Sequence, residues 1–330
     1  MSKQNFSNAY IAASNALAVL REGRSVELQL VGTRPVCVAI DPSRPERVYC
    51  GTFDQGLWYS ADAGRSWEPV GAGIPHLAVT AVAVNERGVV YAGTEPGSLY
   101  RSEDGGRTWQ DLAALRALPS APTWSFPPRP ETNHVRWITF DPQAPERVYV
   151  AIEAGALVRS LDGGLTWEDR KPGGPYDTHT LVMHPQAPLT LYSAAGDGFF
   201  LSEDGGDRWT ASTQGIPYHY LWGAAVDPGD PSILVVSAAP SPMHAHTEAA
   251  AEATLFRRVG DGVWQQAEGL PQPKGTLISP VAALEPSVFY TISNRGLFRS
   301  EDSGQTWAQV PVQWPAGLEL KRPNALVLAP

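Results

Sequence analysis

The sequence predicts an all-β chain folded as a seven-bladed β-propeller with four antiparallel strands per blade. Three observations carry that expectation. A turn motif recurs along the chain, an apolar strand recurs in step with it, and each end of the sequence supplies the part of a blade that the other end lacks.

The turn motif approximates Ser-x-Asp-x-Gly-x-Thr-Trp and stands at Ser60 to Trp67, Ser102 to Trp109, Ser160 to Trp167, Ser202 to Trp209 and Ser300 to Trp307. A worn sixth copy keeps Gly260, Gly262 and Trp264. A seventh, Gly23 to Glu27, has Val26 where the others have Trp. From Val26 through the six Trp residues the spacings are 41, 42, 58, 42, 55 and 43, which reads as one supersecondary unit repeated with two insertions. Each unit opens on an apolar run ending in a turn, such as Val36 to Pro42, Val135 to Pro142 and Tyr220 to Pro228. This run is the innermost strand A. Strand B follows at Val48-Tyr49, Val90-Tyr91, Val148-Tyr149 and Leu191-Tyr192, and the motif joins strands C and D as a hairpin.

Residues 10–30 provide strands B, C and D without an A, and residues 322–330 provide an A alone. The two ends therefore complete one blade and close the ring, leaving no unpaired central edge. The whole chain, 1–330, is expected to be this single domain. Its insertions, 112–133 and 238–254, lie between strands D and A and between B and C, and both fall on the top face. The first is rich in Pro around Trp124 and Phe126, which suits a stiff aromatic lid or a channel plug.

Composition agrees and narrows the function. The 31 Gly and 30 Pro exceed the roughly 12% of an average chain, as dense turns require. A hydrophobic share of 43% with 18% charged residues can bury a large core. The net charge of −9 comes without any basic run, so neither nucleic acid nor an anionic membrane surface is an expected partner. No segment approaches the roughly 18 apolar residues of a membrane span. Cys37 and Cys50 sit in apolar strands and read as buried thiols, and the expected location is the cytoplasm.

The Ser-x-Asp-x-Gly-x-Thr-Trp hairpins resemble the Asp-box, or bacterial neuraminidase repeat, of sialidase-like propellers. The resemblance covers nearly the whole chain. It implies the fold far more than an activity, because such repeats occur in sialidases, xyloglucan-cleaving hydrolases, sorting receptors and photosystem assembly factors. Sialidase chemistry proper is not implied: the Arg-Ile-Pro segment is absent, the sialidase propeller has six blades, and no Tyr-Glu nucleophile pair is assignable. Asp62, Asp104, Asp162, Asp204 and Asp302 repeat around the ring and cannot converge on one substrate, so they read as turn formers.

Chemistry is expected at the top of the channel. Aligning the A strands on their closing turn makes the positions one and three before it apolar in every blade. Polarity appears only further up, at five and seven before it. Those upper positions bring Arg34, His134, Arg136, Asp177, His179, Tyr220, Trp222, Arg322 and Asn324 to the channel mouth. The B–C loops add Asp54, Glu95, Glu153 and Asp197, and the second insertion adds His244 and His246. Convergent groups of both signs in a concave place suit a small polar, anionic or carbohydrate-like ligand. Three chemistries fit the set. Two carboxylates from Asp54, Glu95, Glu153 and Asp197 could cleave a glycoside. A divalent metal on His134, His179, His244 or His246 with Glu153 could serve a lyase or hydrolase. Arg34, Arg136 and Arg322 could instead hold an anionic ligand or a protein partner without turnover. For catalysis the expected pair is His179, as base or metal ligand, oriented by Glu153.

Overall fold

The structure, a computed structural model, describes residues 6–22 and 25–330; the turn expected at Gly23-Arg24 lies outside them. The chain forms seven antiparallel sheets arranged as a ring. The inner strands of blades 1 to 7 are Pro35–Asp41, Ala78–Val84, Val135–Asp141, Thr178–His184, Tyr220–Asp227, Val281–Glu285 and Ala325–Ala329. Six sheets have four strands. In blade 3 the fourth strand shrinks to a single bridge between Arg159 and Glu168. Among the described residues no helix is long and apolar enough to cross a membrane.

Closure follows the expected scheme. Ala325–Ala329 pairs antiparallel with Asn8–Ala12 over five residues, and Asn8–Ala12 pairs with Leu17–Arg21. The main-chain hydrogen bonds that would be missing at an open edge are therefore made between the two ends.

The hydrophobic core lies between blades rather than within them, because each sheet has two apolar faces and can cover them only against its neighbours. One cluster joins Tyr10 and Val19 of blade 7 to Val48, Cys50 and Trp67 of blade 1. Strand B is the most deeply buried element, with five fully buried residues at its end in blades 1, 3 and 4.

Each Ser-x-Asp hairpin is held by its own side chains. Ser60 Oγ accepts from the Gly64 amide at 2.8 Å, while Asp62 accepts from the Ser66 amide and, at 2.6 Å, from the Ser66 hydroxyl. The same Ser-to-Gly bond recurs at Gly106, Gly164, Gly206 and Gly304. The Ser66 hydroxyl and the amides around it hold the Asp62 carboxyl far below the ordinary range. Across three of the blade junctions a strand-B tyrosine donates to the next hairpin: Tyr49 to Gly105 O, Tyr91 to Gly163 O and Tyr149 to Gly205 O, at 3.3, 3.1 and 2.9 Å.

The hairpin tryptophans pack on the preceding blade, as Trp209 does on Tyr149 and Leu157. Trp264 and Trp307 are buried, whereas Trp67, Trp109, Trp167 and Trp209 are half-buried. Trp307→Ala is therefore expected to cost about 3–5 kcal/mol, and Trp109→Ala less than about 3 kcal/mol because part of its ring already meets water. Tyr149→Phe should cost about 1 kcal/mol, the net worth of one hydrogen bond. Urea denaturation of the three variants checks the ranking.

Candidate functional site

One irregularity decides where the upper strand-A residues point. In blades 1 to 5 the pairing of strand A with strand B slips near its top, at Val36, Thr80, Arg136, His179 and Trp222-Gly223. Each slip is a β-bulge, which re-aims a side chain without ending the strand. The position five residues before the turn is therefore the bulged one in five successive blades.

Together with the loops above, these bulges form a cup of about 760 Å³ at the channel mouth. Below it the channel narrows to an apolar cavity of about 340 Å³ lined by residues such as Val38, Ile40, Ile138 and Phe140, the positions expected to be apolar. Arg34, Glu95, His134, Arg136, Glu153, Asp177, Tyr220, Trp222, His246, Arg322 and Asn324 all line the cup.

Asp54 and Asp197 do not, correcting the expectation for both. Asp54 accepts from the Arg34 amide at 3.1 Å, and Asp197 accepts from the amides of Tyr176 and Asp177. Their carboxylates brace the loops behind the mouth. His244 is also held elsewhere, sharing a 2.8 Å hydrogen bond with Ser241 at the start of the short helix Pro242–His246.

The carboxylates of the cup are wired to cations. Glu95 is clamped by Arg129 through two bonds of 2.8 and 2.7 Å. His134 Nε2 donates to Glu153 Oε2 at 2.9 Å, and its Nδ1 faces Glu95 Oε2 at 3.7 Å. Arg136 Nε lies 3.5 Å from Glu153 and its guanidinium stacks on Trp222 at 4.1 Å. Burial alone would raise the Glu153 pKa, but the His134 bond and the charges of His134, His179 and Arg136 outweigh it and hold the group at about 2. Burial pushes the Asp177 carboxyl up, against the opposing pull of His179.

His179 is fully buried behind the wall of the cup, against the rings of Tyr220 and Trp222 at 4.8 and 4.5 Å. Its Nδ1 donates to Leu221 O of the next blade at 2.6 Å, and its Nε2 is 3.9 Å from Glu153 Oε1 and 3.6 Å from Asp177 Oδ1. The expected neighbourhood of His179, Glu153 and Arg136 is thus present, with His179 out of reach of a ligand in the cup. His246 shares a 2.8 Å hydrogen bond with the Tyr220 hydroxyl. Burial, with Arg322 and His179 nearby, pulls its pKa down to about 3, so it stays neutral.

The opposite side of the cup is cationic and unpaired. Arg34 and Arg322 precede the inner strands of the adjacent blades 1 and 7, both are exposed, and among the described residues neither has a carboxylate within ion-pair distance. Arg34 lies over Phe53 at 4.5 Å, and Arg129 over Phe53 and Phe126. Arg129 was not legible as a site residue; the signal available was a lone cation flanked by prolines in the first insertion. That insertion is both lid and plug: Phe126, Pro127 and Pro128 line the cup, while Leu115 and Trp124 pack into the core between blades 2 and 3.

No protein-family model matches the chain, and no curated protein does. Solved structures do. A GH74 enzyme of Niastella koreensis is 17% identical with a TM-score of 0.71, and the GH74 xyloglucanase of Xanthomonas campestris 17% identical with 0.67; each match covers 93% of this chain and 53% of the other. The chain thus spans about half the length of those enzymes. YCF48 bound to D1 peptide is 15% identical with a TM-score of 0.62, covering 94% of this chain and 86% of that one. These similarities establish the fold, a seven-bladed propeller.

Glu153→Gln should cost about 3 kcal/mol at neutral pH, because His134 and Arg136 would lose their buried counter-charge. The folded-state pKa of Glu153 lies below its ordinary value of 4.5. Its contribution, about 3 kcal/mol, is therefore complete above that value and lost as pH falls toward about 2. Denaturation midpoints between neutral and acid pH should show this limb in the parent protein and a flatter one in the variant.

Proposed function

We propose that the protein binds a small anionic ligand, carboxylated or phosphorylated and sugar-like in polarity, in the top cup. The observation that carries this reading is the pair Arg34 and Arg322: two cations on adjacent blades facing one concavity with no carboxylate partner among the described residues. Elsewhere in the cup Glu95 and Glu153 are matched by Arg129, His134 and Arg136. Desolvation by the cup wall and repulsion from Arg136 lower the Arg322 pKa, so an incoming anion would relieve an existing strain. The aromatic rings of Phe53, Phe126 and Trp222 give a sugar or planar acid apolar faces to lie on.

Binding is placed ahead of turnover on the state of the expected catalytic pair. Glu153 is a buried, strongly acidic carboxylate surrounded by cations, a weak base at neutral pH, and His179 lies behind the wall. We keep the assignment to the sialidase-like Asp-box propellers on the strength of the hairpins, and the cytoplasmic location on the two free thiols, of which Cys37 is pushed up to about 12 by burial.

A second reading, an acidic peptide of a protein partner, is favoured by Met243, 63% exposed at the rim of the cup, and by the full-length likeness to YCF48 bound to D1 peptide. Thermal shift decides between them. Glucuronate, phosphorylated hexoses and inorganic phosphate are compared with neutral sugars and with acidic peptides. A small anion at about a hundred times its Kd should add about 2.7 kcal/mol, and Arg34→Ala with Arg322→Ala should abolish the gain. A shift from acidic peptides alone supports the second reading, and no shift from any anion overturns both.

A further inference from the structure

His179 poses a question that ligand binding in the cup does not answer. Its Nδ1 proton is committed to Leu221 O, which leaves Nε2 as the free position of a fully buried ring, without a hydrogen-bond partner. That nitrogen points between two carboxylate oxygens, Asp177 Oδ1 at 3.6 Å and Glu153 Oε1 at 3.9 Å. A desolvated nitrogen between two anionic oxygens calls for positive charge at that point, and a cation held among the three atoms supplies it in place of a ring proton.

The three donor atoms all lie within 4.8 Å of one another. Ligands about 2.0–2.1 Å from a tetrahedral ion stand roughly 3.4 Å apart, so side-chain shifts of under about an ångström would complete the geometry. We propose that Glu153, Asp177 and His179 form a three-ligand site for a divalent first-row transition ion, open toward the cup.

The groups behind the three ligands fit that role. A ligating imidazole characteristically donates its other N–H to a carbonyl or carboxylate, as His179 does to Leu221 O. Glu153 keeps Oε1 for the site because Oε2 is held by His134 and approached by Arg136. Asp177 is oriented by the Ala154 amide at 2.7 Å. Gly196 passes so close that a Cβ there would lie 2.1 Å from Asp177 Oδ2 and 3.3 Å from His179 Cε1, so the backbone itself walls the far side. Two carboxylates match the charge of a divalent ion. The imidazole favours ions such as zinc, iron or nickel over calcium and magnesium, which prefer oxygen alone. Glu153 and Asp177 also line the cup, so the remaining coordination positions face the concavity where the anion would bind.

The proposal stands apart from the identity of the cup's ligand, and its test uses metal alone. The full chain is stripped with a chelator and titrated calorimetrically with Zn²⁺, with Co²⁺ followed by its visible absorption, and with Ca²⁺ and Mg²⁺. We expect one Zn²⁺ per chain at micromolar affinity or better, cobalt bands of a four- or five-coordinate ion, and no comparable uptake of Ca²⁺ or Mg²⁺. Asp177→Asn can still accept from the Ala154 amide and should fold, as its melting curve will show. It should weaken Zn²⁺ by at least about tenfold, as should His179→Gln. Replacing the exposed His219 by Ala should change nothing. Absence of stoichiometric Zn²⁺ uptake by the parent chain, affinity that survives Asp177→Asn, or Ca²⁺ bound as well as Zn²⁺ would each overturn the site.

Discussion

Three successive blades are tied to the next by one repeated contact, the hydroxyl of a strand-B tyrosine reaching the glycine carbonyl of the next blade's hairpin. Tyr49, Tyr91 and Tyr149 all make it. The contact requires the hairpin to expose a carbonyl where no side chain intrudes. Gly105 and Gly106 both have positive φ, at 76° and 94°, and a Cβ on the corresponding Gly64 would stand 2.9 Å from Tyr10. The Ser and Asp of the motif hold that backbone in place, so residues that look catalytic serve the junction between blades. In blade 5 Val235 stands where the others have Tyr, and there the next hairpin glycine, Gly304, comes so close that a Cβ would be 2.4 Å from it. Apolar packing replaces the hydrogen bond at that junction.

The fold was legible because its determinants are local and repeated: motif, strand pattern and complementary ends each occur in the sequence as such. The cup was legible in part, because counting back from a turn locates the height of a residue on its strand. It could not reveal the bulges, which add a residue to one strand without changing its apolar pattern. Nor could it show that Asp54 and Asp197 turn back to loop amides, since an Asp beside a glycine has the same appearance in either role. Arg129 was missed because its partner Glu95 lies 34 residues away and meets it only through the path of the first insertion. His179 was located correctly along its strand, but its depth behind Tyr220 and Trp222 depends on the next blade.

Paired and unpaired charges in the cup are separated. Glu95, Glu153 and Asp177 come from blades 2 to 4, and Arg34 and Arg322 from blades 1 and 7. Arg136 stands between the halves, joined to Glu153 on one side and to the face of Trp222 on the other. Water is largely kept from the anionic half, where the side chains of Glu95, His134, Glu153 and His179 are each no more than 10% exposed. The cationic half is open. A ligand would thus meet exposed, unpaired cations first and a desolvated, paired cluster last, an order that favours rapid capture followed by selective fit.

The bulges in blades 1 to 5 carry a consequence for the history of such a ring. An ordinary strand residue cannot be exchanged freely, because its side chain and its pairing are bound to the same alternation. At a bulge the two are uncoupled: the ladder resumes below it whatever side chain stands there. Val36, Thr80, Arg136, His179 and Trp222 are five chemically unrelated residues at equivalent positions, tolerated by one unchanged architecture. The mouth is therefore the part of the molecule that can be rewritten one blade at a time, and a new specificity could evolve there without putting the scaffold at risk.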